Sequence, residues 1–456
     1  CPLIQKVKMN KTYLISQTSS FTLLILISFA FAIIGIYYSK KFKGINNYLT
    51  ANRSVGLFSL TTSLTASALG AWILFGPASA ATWGGLGSII GYSLGTAFPM
   101  FILIYLGKKI RKEFPQGSSL IEFMRKKFGK SLFKLILLMT IFYMFIFLCA
   151  EVTAVAILIN YMSGAELWTT ALIVLFFTLL YTLYGGLRAS IFTDNIQMIV
   201  IIIILIFSFI YIYSFMGNQF SFSFVKEKNP HLISSSYVTG FTAGLTFFIA
   251  VAATNLFHQG NWQRVYAAKN FETLKKSLII SFFIIIPIVF FMGFSGMVAF
   301  SIDSTIRPDL GFFTLILKEQ TTVLSFIVII LGLALTISTV DTLINAISSL
   351  IVVDGKAFFN FKKKINYLNF SQYIIVFLSL ISFIIASKGF DILYLFLLEE
   401  LFCCSFVMTV FYSFYKKNID TKHVIFSIVT GLFGGLLFFP SPDFTQSFLV
   451  GFIVPA

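Results

Sequence analysis

Four hydroxyls and a carboxylate are concentrated in the segment Leu335-Thr336-Ile337-Ser338-Thr339-Val340-Asp341-Thr342, inside an otherwise apolar stretch. In hydrocarbon such groups are costly unless they face a partner or a water-filled cavity, so the cluster reads as part of an ion or solute pathway. Asp341 and Thr342 follow Ser338 by three and four residues, which puts all three on one helical face. Other isolated carboxylates pose the same question. Glu151 sits alone in Leu148-Cys149-Ala150-Glu151-Val152-Thr153. It is read as recognising a cationic or hydrogen-bonding solute, coupling protons, or making a buried structural hydrogen bond. Glu399 and Glu400 lie further along, and a structural role at a helix interface is the stronger reading for them.

The elements that must position these groups follow from hydropathy. The chain has 456 residues, 58% hydrophobic and 11% charged, with a mean hydropathy of +0.92. Such a composition excludes an ordinary soluble domain. Continuous apolar runs of about 20 residues predict helices rather than barrel strands. Spans are expected at 21–38, 57–81, 84–106, 132–162, 165–184, 190–214, 236–257, 278–300, 322–352, 370–387, 390–414 and 422–439, with a thirteenth starting near 444. With the N-terminus outside, 25 of the 33 Lys and Arg residues fall in inner loops, as the positive-inside rule requires. The net charge of +16 therefore reports topology and contact with the lipid bilayer, not nucleic acid. Cys149, Cys403 and Cys404 lie within apolar runs and Cys1 opens the chain; no zinc or disulfide spacing is present. The chain starts without Met and stops within an apolar run, so it is expected to be a fragment.

Two spans are irregular. Gly70, Gly76 and Pro77 interrupt the second, where Gly loosens the helix and Pro removes a backbone donor. The seventh runs into the polar stretch Thr254-Asn255-Leu256-Phe257-His258-Gln259-Gly260-Asn261-Trp262. They lie five spans apart and cross in opposite senses. This pattern predicts an inverted five-plus-five repeat with two discontinuous helices and a binding site at their breaks. The expected organisation is an external segment 1–20, an extra helix 21–38, a first repeat 57–214 with its discontinuous helix at 57–81, a second repeat 236–414 with its discontinuous helix at 236–257, and peripheral helices 422–456. No Ser or Cys nucleophile has a plausible His partner, because His231 and His423 flank spans and His258 adjoins a break; an enzyme is not expected.

The string Gly185-Gly186-Leu187-Arg188-Ala189-Ser190-Ile191-Phe192-Thr193-Asp194-Asn195-Ile196-Gln197 resembles the GGLxAxxxTDxxQ signature of the sodium/solute symporter family. Gln263-Arg264-Val265-Tyr266-Ala267-Ala268-Lys269 is similar to its QRxxAAK loop, and the opening cluster to its STxxS segment. The resemblance runs from about residue 21 to the C-terminus and implies an all-α, LeuT-type polytopic membrane protein of about 13 helices. It further implies a Na+ site formed by the carbonyls of Ala66, Leu69 and Leu335 and the hydroxyls of Ser338 and Thr339. A second sodium or proton site would use Asp194, Ser338, Asp341 and Thr342, although a carboxylate at 341 departs from the hydroxyl of the sialic acid carriers. Asp194 is alternatively a structural carboxylate paired with Arg188. Ala68 stands where the proline carriers have Asp. For the solute, the candidates are Trp72 and Phe75 on one side and Asn255, Phe257, His258 and Gln259 on the other, with Tyr92 and Glu151 lining the cavity. Buried hydroxyls left unpaired cost about 1–3 kcal/mol each, and the third and eighth spans offer few partners, so a small polar solute fits better than a hexose.

The expected function is sodium-coupled import of a small polar organic solute, such as an amino acid or urea, across an inner or plasma membrane by alternating access. Proton coupling and a transporter-derived sensor or channel-like protein are the alternatives. Solute identity, ion number and oligomeric state are not legible.

Overall fold

The computed structural model describes residues 13–359, 366–413, 420–439 and 453. Its helices are α1 Gln17–Ser39, α2 Ile45–Thr50, α3 Leu57–Ala68, α4 Gly76–Glu113, α5 Leu120–Phe128, α6 Lys130–Ser163, α7 Leu167–Met216, α8 Phe222–Lys228, α9 Val238–Phe257, α10 Gln259–Ala267, α11 Phe271–Ile302, α12 Gly311–Ile316, α13 Thr322–Phe359, α14 Tyr367–Ala386, α15 Ile392–Ser413 and α16 Thr421–Phe438. Ten of the helices among the described residues are long and apolar enough to cross a membrane. Helices satisfy their own backbone groups, which is what a lipid environment demands.

Two of the long helices, α4 and α7, are each interrupted by a kink. At 1.5 Å per residue, α4 and α7 would extend about 57 and 75 Å against a hydrocarbon thickness of about 30 Å. Each folds back at a glycine with positive φ, Gly85 (φ 53°) and Gly186 (φ 57°), a conformation that other residues rarely adopt. Those kinks fall where the expected spans 57–81 and 84–106 meet, and where 165–184 and 190–214 meet. The span expected from about 444 lies outside the described residues, as does Cys1.

The interior is built on helices that approach closely. Gly87 and Gly91 of α4 lie against the carbonyls of Gly240 and Gly244 on α9, where a Cβ would collide with backbone. Small residues at such crossings bring helices together in lipid. α13 carries the most deeply buried polar surface, with Thr336, Ser338, Thr339, Asp341 and Thr342 at 1% exposure or less.

Candidate functional site

The first break separates α3 from α4. α3 ends at Ala68, Leu69 and Gly70 are extended, and a short turn over Ala71–Leu74 leads into α4 with Pro77 in its first turn. Pro is suited to that position because its missing N–H would be unpaired there anyway. The free N–H groups of Ala71 and Trp72 donate to the Glu151 carboxylate of α6, at 2.8 and 3.2 Å. A carboxylate at the start of a helical segment both accepts these protons and meets the positive end of the peptide dipoles. A Cβ at Gly70 would strike that carboxylate. Glu151 thus holds the break open.

The second break, at His258, separates α9 from α10. Carbonyls exposed at the end of α9 are taken by side chains of α10: Asn261 Nδ2 donates to Asn255 O (3.0 Å) and Trp262 Nε1 to Leu256 O (2.7 Å). The far end of α10 is tied down as well. Arg111 donates to the carbonyls of Val265 and Ala268, and Val55 exchanges backbone hydrogen bonds with Ala267 and Lys269 just before α3 begins.

α3 and α13 run antiparallel. Ser63 and Thr342 both bind Arg264, whereas eleven residues further along α3 and its turn, Leu74 lies beside Gly332. Between these anchors α13 packs along α3 and the turn that follows it. Thr339 Oγ1 donates to Leu335 O at 3.1 Å and Ser338 Oγ to Asp194 Oδ1 at 2.7 Å. Because each hydroxyl gives its proton away, its lone pairs remain available as acceptors.

One helical turn beyond lies a buried polar layer. Asp194 forms a buried ion pair with Arg264 at 2.7 Å, with both side chains fully buried, and accepts from Ser63 at 2.6 Å. Arg264 also donates to Ser63, Thr342 and the Gly260 carbonyl. The partner of Asp194 is therefore Arg264 and not Arg188, which binds Ala51 O and Ser54 Oγ. Asp341 accepts from Tyr181 (2.5 Å), Ser190 (2.7 Å) and Thr193 (3.1 Å), all on α7. No basic side chain is ion-paired with it among the described residues.

A cavity of about 30 Å³ lies between the two breaks, lined by Ser67, Ala68, Trp72, Tyr92, Phe147, Val251, Thr254, Asn255, Phe396, Glu399 and Glu400. Of the expected solute residues, Trp72, Tyr92 and Asn255 line it. The others do not line it. Glu151 is spent on the break, Phe75 packs on Phe313, and Phe257 packs on Phe406 and Phe411. His258 meets Phe147 edge-on, and Gln259 donates to Ser118 O and Ser349 Oγ. The glutamates of α15 correct the sequence reading in the other direction: instead of serving an ordinary helix interface, both line the cavity. Hydropathy flags an intramembrane carboxylate without saying which way it faces. Their adjacency in a span with no partner of opposite charge was the available signal.

This arrangement, with paired helix breaks around a central cavity and a polar α13 beside one of them, can be compared with known proteins. The sodium:solute symporter family model matches residues 48–431. The chain belongs to the sodium:solute symporter family. It is accordingly a transport protein rather than an enzyme, and Na+ is the coupling ion of the family. Among relatives, a spermidine transporter of Candida albicans is 26% identical over 85% of this chain and 73% of its own length. A sodium/glucose cotransporter of Vibrio parahaemolyticus is 23% identical over 59% of this chain, which spans 53% of that protein. The structure of a Na+-coupled sialic acid symporter, in a substrate-bound outward-open state, superposes with a TM-score of 0.77 at 17% identity, over 96% of this chain and 95% of the other. The fold is the LeuT-type fold of that symporter.

Proposed function

We propose that this symporter imports a small polar organic solute with Na+ by alternating access, in an inner or plasma membrane with its N-terminus outside. The observation that carries the reading is that both helix breaks open on one cavity while α13 packs against the end of α3 and the turn of the first break. Na+ is held in this proposal by the carbonyls of Ala66, Leu69 and Leu335 and the hydroxyls of Ser338 and Thr339. The antiparallel register of α3 and α13 supports that set, and hard oxygens released by an unwound helix are suited to the ion. The two repeats are proposed to span 57–214 and 236–414.

The second cation position receives a different assignment. Asp194 and Thr342 already bind the Arg264 guanidinium, and Asp341 is filled by four hydroxyls, those of Tyr181, Ser190, Thr193 and Thr342. Arg264 then supplies the charge that a second Na+ would bring, and one Na+ accompanies each solute. Moving that ion through 100 mV contributes about 2.3 kcal/mol of drive. Coupling arises because Na+ favours the solute-ready state by its differential affinity for it. As for the solute, the spermidine transporter matched over most of the chain and the glucose cotransporter both carry small polar organic molecules.

The test is uptake by purified protein in proteoliposomes across a solute panel, with sodium varied. Thr339→Ala is expected to raise the half-saturating sodium concentration about tenfold, the equivalent of about 1.4 kcal/mol, with maximal uptake retained. An unchanged sodium dependence contradicts the proposed site.

A further inference from the structure

We propose that the solute is a cationic amine, and that Glu399 and Glu400 of α15 receive its ammonium groups; this names the substrate class of the site just proposed and rests on that reading. The two carboxylates are 2% and 5% exposed, and in each Oε2 has no hydrogen-bond partner. Neither enters an ion pair among the described residues, unlike Asp194, which is matched by Arg264. An ionised carboxylate taken from water without a partner is strongly disfavoured. These two are therefore complete only when something else brings positive charge and N–H donors.

The rest of the wall leads to the same ligand chemistry. Its hydroxyl and amide side chains on α3 and α9 have already given protons to the protein: Ser67 donates to Leu64 O or Asn261 Oδ1, Thr254 to Ala250 O, and Asn255 Nδ2 to Val251 O. What remains on the wall is the pair of carboxylates, with the Trp72 N–H and the Tyr92 O–H as its neutral donors. A carboxylate-bearing solute would face two negative charges with no cation to offset them, and a sugar would need donors and acceptors in alternation. An alkylammonium supplies only donors. Its methylenes would lie on an aromatic wall, where Trp72 stacks on Tyr92 with ring centroids 5.5 Å apart and meets Phe396 edge-on at 6.3 Å. Cations over such faces gain further attraction. Two adjacent glutamates suit a molecule with more than one ammonium group. Na+ is served separately, by the carbonyls and hydroxyls proposed beside the first break.

The experiment uses the full chain in proteoliposomes and in detergent, with spermidine and putrescine as cationic probes and glucose, urea and proline as neutral or zwitterionic ones. The expected result is sodium-dependent spermidine uptake, and a rise in thermal stability on adding spermidine but not glucose, urea or proline. Glu399→Gln and Glu400→Gln should each raise the half-saturating spermidine concentration about 30-fold or more, as loss of one member of a desolvated charge pair does. Half-saturating sodium should stay within about twofold, well short of the tenfold expected from losing one ion ligand. If no solute shows sodium-dependent flux but spermidine still stabilises the wild type, the amine assignment stands and the symport reading fails. Sodium-dependent uptake of glucose, urea or proline, with spermidine neither competing nor stabilising, overturns the amine assignment and leaves symport intact. Glutamine variants that keep their spermidine affinity while their sodium or pH dependence moves also overturn it, because the carboxylates would then serve the ion.

Discussion

Replacing Glu151 separates two roles that its chemistry allows. In the structure its oxygens take the N–H groups of Ala71 and Trp72, and it is fully buried. Glu151→Ala leaves both donors unpaired, at about 1–3 kcal/mol each, or about 2–6 kcal/mol together. That range lowers the folded-to-unfolded ratio by between about 30-fold and about 10⁴-fold. Glu151→Gln keeps one acceptor oxygen and turns an NH₂ group toward the other donor, so its cost should be about half. The order of stability is then Glu, Gln, Ala, read as inactivation half-life at fixed temperature in detergent, which suits a protein that unfolds irreversibly. Gly70 gives an internal control, since a Cβ at that position strikes the same carboxylate. Gly70→Ala should therefore be less harmful in the Glu151→Ala background than alone, a coupling of about 0.5–3 kcal/mol. If Glu151→Ala is as stable as the wild type and changes only the half-saturating solute concentration, Glu151 is a solute ligand and the break is held by something else.

Three further outcomes follow from the polar layer and the kinks. Arg264→Gln strands the buried Asp194 carboxylate and should cost about 3–5 kcal/mol, measured as loss of folded protein on size-exclusion chromatography, whereas the double change Asp194→Asn with Arg264→Gln should recover much of it. Asp341→Asn should retain sodium-dependent uptake with a solute-to-sodium ratio unchanged from the wild type; isotope flux ratios check this, and a lower sodium count would reinstate Asp341 as an ion ligand. Gly85→Ala forces a Cβ against the Leu232 carbonyl at φ 53°; the left-handed backbone alone costs about 1–3 kcal/mol, and yield and half-life should both fall.

Much of the fold was legible because hydrophobic runs, glycine breaks and loop charge are local features. The discontinuity after Ala68 was visible as Gly70, Gly76 and Pro77, and the seventh span's break as a polar run around His258. Facing was less legible. Glu151 looked like a candidate for the solute because a lone carboxylate in a span does not reveal that its acceptors are spent on a neighbouring backbone. Glu399 and Glu400 were set aside because helical phase within a uniformly apolar span does not say which face meets a cavity. For Asp194 the sequence offers ion ligation or a pair with the near Arg188, and not the distant Arg264 of α10, which it meets only after the second break. Phe257 and Gln259 were assigned to the solute by position beside that break, yet one turns to an aromatic cluster and the other to Ser118 and Ser349.

In the proposed mechanism, solute movement is driven by Na+ bound between α3 and α13. The most direct measurement is solute accumulation in proteoliposomes under a sodium gradient without a pH gradient, and then under a pH gradient without sodium. Accumulation should require the sodium gradient and be absent with the pH gradient alone, and Thr339→Ala should shift its sodium dependence. Accumulation driven by pH in sodium-free buffer would contradict the account.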